Sequence, residues 1–167
     1  MAETVTLKGN TVTLVGPSLN VGDDAPVARV VLTDLSEKEI GGSKDKVQLI
    51  ITVPSLDTPV CETETKKFNE MIQGMDVDVT VVSMDLPFAE KRFCESFNIE
   101  NVAVGSDFRY KDMEKFGVLI GEGALKGLLA RAVFIVDKNG KIAYKQLVPE
   151  ITQEPDYDAV LDALKKC

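Results

Sequence analysis

The residues of this chain best suited to chemistry are its cysteines, and Cys61 lies in the most informative context. Pro54 and Thr58 precede it by seven and three residues. An apolar, β-branched run over residues 47–53 comes first, and after Cys61 acidic residues precede basic ones, with apolar residues at helical spacing. This pattern predicts a buried strand, a loop and a helix, with Cys61 in the first helical turn. Unpaired N–H groups and the helix dipole favour the thiolate there, and the thiolate is the nucleophilic form of cysteine.

Two interpretations of this stretch remain open on its residues alone. Thr58 can direct its hydroxyl at a Cys61 thiolate, or at an oxygen bound beside it, which would make Cys61 a reactive group. Alternatively, Cys61 is a buried structural cysteine and Thr58 caps the helix, which is the more common fate of a single cysteine.

The amino-acid composition excludes several classes of protein. The chain has 167 residues, 44% of them apolar and 28% charged, which is typical of one globular domain. The net charge of −8 argues against nucleic-acid or anionic-membrane partners. No apolar run approaches the ~20 residues of a membrane span. Since the first residues lack the basic and apolar regions of a signal peptide, we expect a cytoplasmic protein.

The other residue counts narrow the chemistry. The chain has three cysteines, Cys61, Cys94 and Cys167, and no histidine. The cysteines are too few for a disulfide scaffold, and no CxxC motif is present for a zinc ribbon or for thioredoxin's own redox chemistry. Without histidine, Cys-His and Ser-His catalysis are excluded. An activated thiol in this chain must therefore depend on helix N–H groups and on an arginine or lysine.

Hydrophobic periodicity and turn residues predict the elements that position these groups. We expect a β-hairpin over residues about 4–14 and a turn region over 36–46. Further strands are predicted over 27–32, 47–53, 76–84, 102–104, 129–136 and 141–147. Helices are predicted to begin near Cys61 and at Pro87, and to cover 108–116 and 157–165.

The order of these elements predicts the fold. Parallel pairing of residues 47–53 with 76–84 across the Cys61 helix gives a right-handed βαβ unit. Residues 129–136 and 141–147 form an antiparallel pair, and a terminal helix follows. This order indicates an α/β, thioredoxin-like fold to which an N-terminal β-hairpin is added. Without a linker or repeat, residues 1–167 are expected to form a single domain.

Five short sequence motifs carry a specific resemblance. The pattern Pro54-x3-Thr58-x2-Cys61 at a strand-to-helix turn resembles the peroxiredoxins. The segments SLDTPVC (55–61), DLPFA (85–89), RFC (92–94), ALKGLLARA (124–132) and EITQEPDY (150–157) occur in order. Together they are similar to the thiol peroxidase (Tpx) family, the atypical 2-Cys peroxiredoxins, over essentially the whole chain.

The resemblance implies a role for each candidate residue. Cys61 would be the peroxidatic cysteine, which attacks the peroxide and becomes a sulfenic acid. Cys94 would be the resolving cysteine, which condenses with Cys61 into an intramolecular disulfide. Thr58 and Arg131 would hold the thiolate and peroxide oxygens, and Pro54 would shield the pocket. The family uses no metal or flavin cofactor, takes hydroperoxides as substrates, is usually reduced by thioredoxin and is usually homodimeric.

The residues themselves leave simpler roles open. Arg131 lies within the apolar run 129–136, where a charge is costly unless it is paired, so a salt bridge to an acid would also explain it. Cys94 could be an ordinary buried helix position beside Phe93 and Phe97. Cys167 matches nothing in the family pattern and is expected to be a terminal thiol without a catalytic part.

The main alternative function is a non-enzymatic redox sensor that uses the same cysteine pair, and another is a chaperone or binding module that kept the fold. For the peroxidase we expect one or both helix starts, near residues 58–64 and 87–97, to open before a disulfide can form, because packed helices hold such residues apart. Four residues of these segments, Glu62, Glu64, Glu90 and Lys91, are expected to be exposed and to make this opening easy.

Overall fold

The computed structural model describes residues 3–167, which contain ten strands, three α-helices and one short 3-10 helix. None of the helices in that range is long and apolar enough to cross a bilayer. The strands are β1 (Thr4–Leu7), β2 (Asn10–Val15), β3 (Ala28–Leu32), β4 (Glu37–Ile40), β5 (Val47–Thr52), β6 (Val77–Ser83), β7 (Ala103–Ser106), β8 (Leu119–Ile120), β9 (Ala132–Val136) and β10 (Ile142–Leu147). The helices are α1 (Pro59–Met71), α2 (Pro87–Phe97) and α3 (Tyr157–Lys165), and the 3-10 helix is Asp112–Phe116.

Seven strands form the main sheet, in the order β10-β9-β5-β6-β7-β3-β4. β5 and β6 are parallel, with Val47 opposite Val77 and Thr52 opposite Val82, which confirms the predicted βαβ unit around α1. β9 and β10 pair antiparallel, as predicted. β5 therefore has a hydrogen-bonded neighbour on each side, and α1 begins close to the carboxyl end of this central strand.

Successive residues of the central strands face opposite sides of the sheet, as the two-residue period of a strand requires. In β5, Leu49 and Ile51 belong to an apolar cluster that includes Phe68 of α1 and Val160 of α3. Ile50 belongs to a second cluster, which the hairpin and the 3-10 helix complete. Because apolar residues cover both faces of β5, the strand is buried on both sides, and its apolar stretch from Leu49 to Ile51 therefore shows no polar alternation.

The predicted N-terminal hairpin is confirmed as β1 and β2, which pair antiparallel. Lys8 and Gly9 connect them with φ values of 50° and 84°, the positive values of a tight hairpin turn. β8 adds to the edge of β2, so the hairpin belongs to a small three-stranded sheet. This strand was missed, since two residues are too few to produce a periodic pattern.

Three segments differ from the prediction. Residues 36–46 were predicted as a turn region but contain β4, a charged strand at the edge of the sheet, where polar side chains meet solvent. Residues 108–116 were predicted as a helix, but only the 3-10 turn forms, because Lys111 takes a positive φ of 56°. The predicted strand 129–136 begins at Ala132, so Arg131 precedes it.

Candidate active site

The loop between β5 and α1 places Cys61 as predicted. Pro59 is the first residue of α1, and Thr58 is the N-cap residue, whose carbonyl accepts the Glu62 N–H at 3.0 Å. Cys61 is the third helical residue and is fully buried. Its thiol therefore lies beside the unpaired N–H groups of the first turn, where a negative charge is stabilised.

Arg131 lies against this thiol. Its Nη1 is 3.3 Å from Cys61 Sγ and 2.7 Å from Glu64 Oε1. Its Nε and Nη2 both donate to the Ile151 carbonyl, at 3.0 and 2.8 Å. Arg131 is only 2% exposed, and each of its three side-chain nitrogens donates a hydrogen bond. The two roles that the sequence left open for this arginine therefore occur together, a contact to the thiol and a salt bridge to an acid.

The acid in that salt bridge was not recognised from the sequence. Glu64 and Glu90, both predicted to be exposed, are 0% exposed, so that prediction was wrong. Glu64 follows Cys61 by three residues, which puts both side chains on the same face of α1. Burial raises the pKa of Glu64 to about 7, against the opposing effect of the Arg131 guanidinium. The i, i+3 spacing from Cys61 was the signal that could have identified it.

The N-terminal hairpin holds the carbonyl on which Arg131 rests. The Ile151 N–H donates to the Thr6 carbonyl at 2.8 Å. The neighbouring Glu150 carboxylate accepts hydrogen bonds from the Thr6 hydroxyl at 2.9 Å, from the Gly9 N–H at 2.9 Å and from the Thr152 N–H at 3.0 Å. These hydrogen bonds hold the pKa of Glu150 well below its usual range, and the bond from the Thr152 N–H has the largest effect. The added hairpin thus contributes to the placement of the arginine.

Thr58 and Pro54 lie in the same loop. The Thr58 hydroxyl donates to the Ser55 carbonyl at 2.8 Å and makes no capping hydrogen bond to the helix. Because its hydrogen is used in this way, its oxygen can serve as an acceptor. Thr58 is exposed, whereas Pro54 is buried between the end of β5 and this turn. The catalytic roles of these two residues stay predictions.

Cys94 lies on α2 and is half-buried. Burial raises the pKa of its thiol to about 11, and the charges of Glu90 and Glu95 act in the same direction. Cys167 is exposed at the end of the chain. All three cysteines are free thiols in this structure.

The comparisons with known proteins agree with this geometry. The family model for redoxins matches residues 20–161. A thiol peroxidase from Aquifex aeolicus is 76% identical over 167 residues, covering 99% of this chain and 99% of that protein. A thiol peroxidase from Campylobacter jejuni is 56% identical over 161 residues, covering 95% of this chain and 90% of that protein.

Solved structures show the same fold. The crystal structure of a peroxiredoxin-like protein from Aquifex aeolicus superposes with a TM-score of 0.98 at 76% identity, covering 99% of this chain and 98% of that chain. A thiol peroxidase from Chromobacterium violaceum, 20% identical, superposes with a TM-score of 0.86 over 98% of this chain and 95% of that one. The predicted thioredoxin-like fold is therefore confirmed. On both sequence and structure, this chain belongs to the redoxin family, and within it to the thiol peroxidases of the peroxiredoxin group.

Proposed function

We propose that this thiol-dependent peroxidase reduces hydrogen peroxide and alkyl hydroperoxides through Cys61 and then resolves the product with Cys94. The observation that carries the proposal is the 3.3 Å contact between Arg131 Nη1 and Cys61 Sγ in the first turn of α1. The Arg131 guanidinium and the first-turn N–H groups thus surround one buried sulfur with hydrogen-bond donors. The same donors can stabilise the charge that develops on a peroxide oxygen during attack.

In the first step the Cys61 thiolate attacks the nearer peroxide oxygen. An S–O bond forms, the O–O bond breaks, and the leaving oxygen takes a proton to become an alcohol or water. The sulfur is oxidised to a sulfenic acid and the peroxide is reduced. Thr58 can accept the hydrogen bond of the hydroperoxide O–H, and Pro54 keeps water from the sulfur.

In the second step the Cys94 sulfur attacks the sulfenic sulfur. An S–S bond forms, the S–O bond breaks, and the hydroxide leaves as water with the proton that Cys94 loses. The position of Cys94 supports it over Cys167. Asp85, two residues before the helix that carries Cys94, accepts a hydrogen bond from Ser55 in the loop before Cys61. Cys167 instead donates to the Ala163 carbonyl at the end of α3.

The remaining parts of the proposal concern partners. Thioredoxin supplies the two electrons that reduce the disulfide, and the protein works as a homodimer in the cytoplasm, each chain acting as one thioredoxin-like domain. The support for these points is the family to which the chain belongs. No metal or flavin is required, because every step is thiol chemistry.

A coupled assay tests the proposal. With thioredoxin, thioredoxin reductase and NADPH, we expect many equivalents of peroxide to be consumed per enzyme, with NADPH oxidised in proportion. Cys61→Ser should show none of this turnover, since it lacks the nucleophile. A wild-type protein that consumes a single equivalent and stops would contradict the proposal and would indicate a redox sensor.

A further inference from the structure

A polar cluster connects the loop before Cys61 to the first turns of α2. Asp85 Oδ1 accepts the Ser55 hydroxyl at 2.7 Å, and its Oδ2 accepts the Leu56 N–H at 2.7 Å. The Ser83 hydroxyl lies 2.8 Å from Asp85 Oδ2 and 2.9 Å from Glu90 Oε2. Glu90, on α2, is fully buried, and its other oxygen has no partner among residues 3–167. We call these residues, Ser55, Ser83, Asp85 and Glu90, the acid cluster.

Counting hydrogens in the acid cluster shows which group carries a proton. A serine hydroxyl has one hydrogen but lies within hydrogen-bond distance of two carboxyl groups. Asp85 already accepts from Ser55 and Leu56, so it is the anion to which Ser83 donates. The contact between Ser83 and Glu90 is then a hydrogen bond only if Glu90 donates, as an un-ionised acid. Burial acts in the same direction, because burial and the smaller effect of the Asp85 charge together raise the pKa of Glu90 to about 9.

The titratable groups around Glu90 are mostly acids. Asp85 comes from the loop before α2, and Cys94 lies one turn further along the same helix, where Glu90 acts on its thiol. Asp107, directly after β7, has a backbone N–H bonded to the Ser83 carbonyl at 2.9 Å, and its carboxylate accepts the Met113 N–H at 3.2 Å. On the side of α1, a cleft separates the two helices, and its charged lining residues are Asp57, Glu62 and Arg92.

We propose that Glu90 is a positioning residue for the resolving step: as an un-ionised acid it holds the first turn of α2 against Ser83, which Asp85 links to the Cys61 loop, and it ionises to a carboxylate when α2 opens. The inference rests on the proposed function and on the expectation that α2 opens so that Cys94 can reach Cys61. In the closed state the acid cluster ties together the two segments that carry the reacting sulfurs. Opening exposes Glu90 to water and its proton passes to solvent.

This mechanism makes the opening of α2 depend on pH. A solvent-exposed glutamate ionises near pH ~4.3, well below the value for the buried group. Between the pKa of the exposed glutamate and that of buried Glu90, the closed state binds one more proton than the open state. The stability of the closed state therefore falls as pH rises. The equilibrium for opening should increase by up to about tenfold per pH unit in that window. Disulfide formation would then be favoured at the alkaline end of this pH range, and the closed state at the acidic end.

Hydrogen exchange on the reduced protein tests the inference without relying on peroxidase activity. We would follow the amides of α2 from about pH 6 to about pH 8, corrected for the pH dependence of intrinsic exchange, and expect opening to increase up to about tenfold per unit. Glu90→Gln keeps the shape and a donor but cannot ionise, so its opening should be independent of pH. Glu95→Gln removes a carboxylate from the exposed face of the same helix and should behave as wild type.

Infrared spectroscopy adds a direct readout. The wild-type protein at neutral pH should show the carbonyl band of an un-ionised carboxylic acid, and Glu90→Gln should lack that component. Absence of this difference, or equal pH dependence of exchange in wild type and Glu90→Gln, would overturn the inference. The two proposals can fail separately: inactivity with the expected exchange pattern would refute the peroxidase, whereas normal turnover with unchanged exchange would refute only the role of Glu90.

Discussion

Arg131→Ala is expected to slow the reaction of Cys61 with peroxide by at least about a hundredfold, the effect of losing one donor to a developing oxyanion. Arg131 Nη1 is the charged donor at the Cys61 sulfur, at 3.3 Å. The change should also destabilise the fold, because it leaves Glu64 buried without its cation, and breaking a buried pair costs roughly 3–5 kcal/mol. Rapid-mixing kinetics would measure the rate, and denaturant unfolding the stability.

The matched control separates the two effects. In Arg131→Ala combined with Glu64→Gln, the buried carboxyl group that lost its cation is replaced by a neutral amide, so part of the lost free energy of unfolding should return. The peroxide rate should stay low, because the donor to the sulfur is still absent. If the rate recovered together with stability, Arg131 would be a structural residue only.

Cys94→Ser is expected to react with one equivalent of peroxide at nearly the wild-type rate and then to stop. Without a resolving thiol the Cys61 sulfenic acid persists, and further peroxide should convert it to sulfinic acid. Intact-mass measurement would follow the added oxygens, and the thioredoxin-coupled assay would show the loss of turnover.

Cys167→Ser is the matched control for that experiment, since it removes an exposed thiol that lies two residues beyond the end of α3. It should retain near wild-type turnover. Full thioredoxin-dependent activity in Cys94→Ser would show instead that Cys167 or an external thiol resolves Cys61, and the assignment of Cys94 would have to be abandoned.

The parts of the fold that sequence could predict are those decided locally. The position of Cys61 depends on a β-branched run, two prolines and a helical pattern within about two dozen residues, and α1 begins at Pro59 as this order requires. The bounds of α3 agree with the prediction at both ends, because its apolar face and its Asp156 cap are both contained in its own sequence. In these cases tertiary structure adds packing without changing the local preference.

The parts that could not be predicted depend on distant partners. Glu64 and Glu90 are glutamates on amphipathic helices, and such residues usually face solvent. Glu64 is buried because Arg131, 67 residues away in the chain, pairs with it. Glu90 is buried because Ser83 and Asp85 turn back towards it at the end of β6.

Backbone geometry explains the other differences. The residues before the 3-10 helix show a helical pattern, but the positive φ of Lys111 interrupts it. The charged composition of β4 reflects its place at the sheet edge, which only the assembled strand order reveals. The contact between Ile151 and Arg131 was likewise beyond sequence reasoning, since any residue can supply a backbone carbonyl.

The central claim is that Cys61 takes the oxidising equivalent from peroxide and that Cys94 of the same chain resolves it. The most direct test is to treat the reduced wild-type protein with one equivalent of peroxide, digest it without reductant and map the cross-linked peptides by mass spectrometry. The account predicts a single cross-link between Cys61 and Cys94, Cys167 as a free thiol, and a monomer-sized band on a non-reducing denaturing gel. A cross-link through Cys167, a dimer-sized band that disappears with thiol, or an unmodified Cys61 would contradict it.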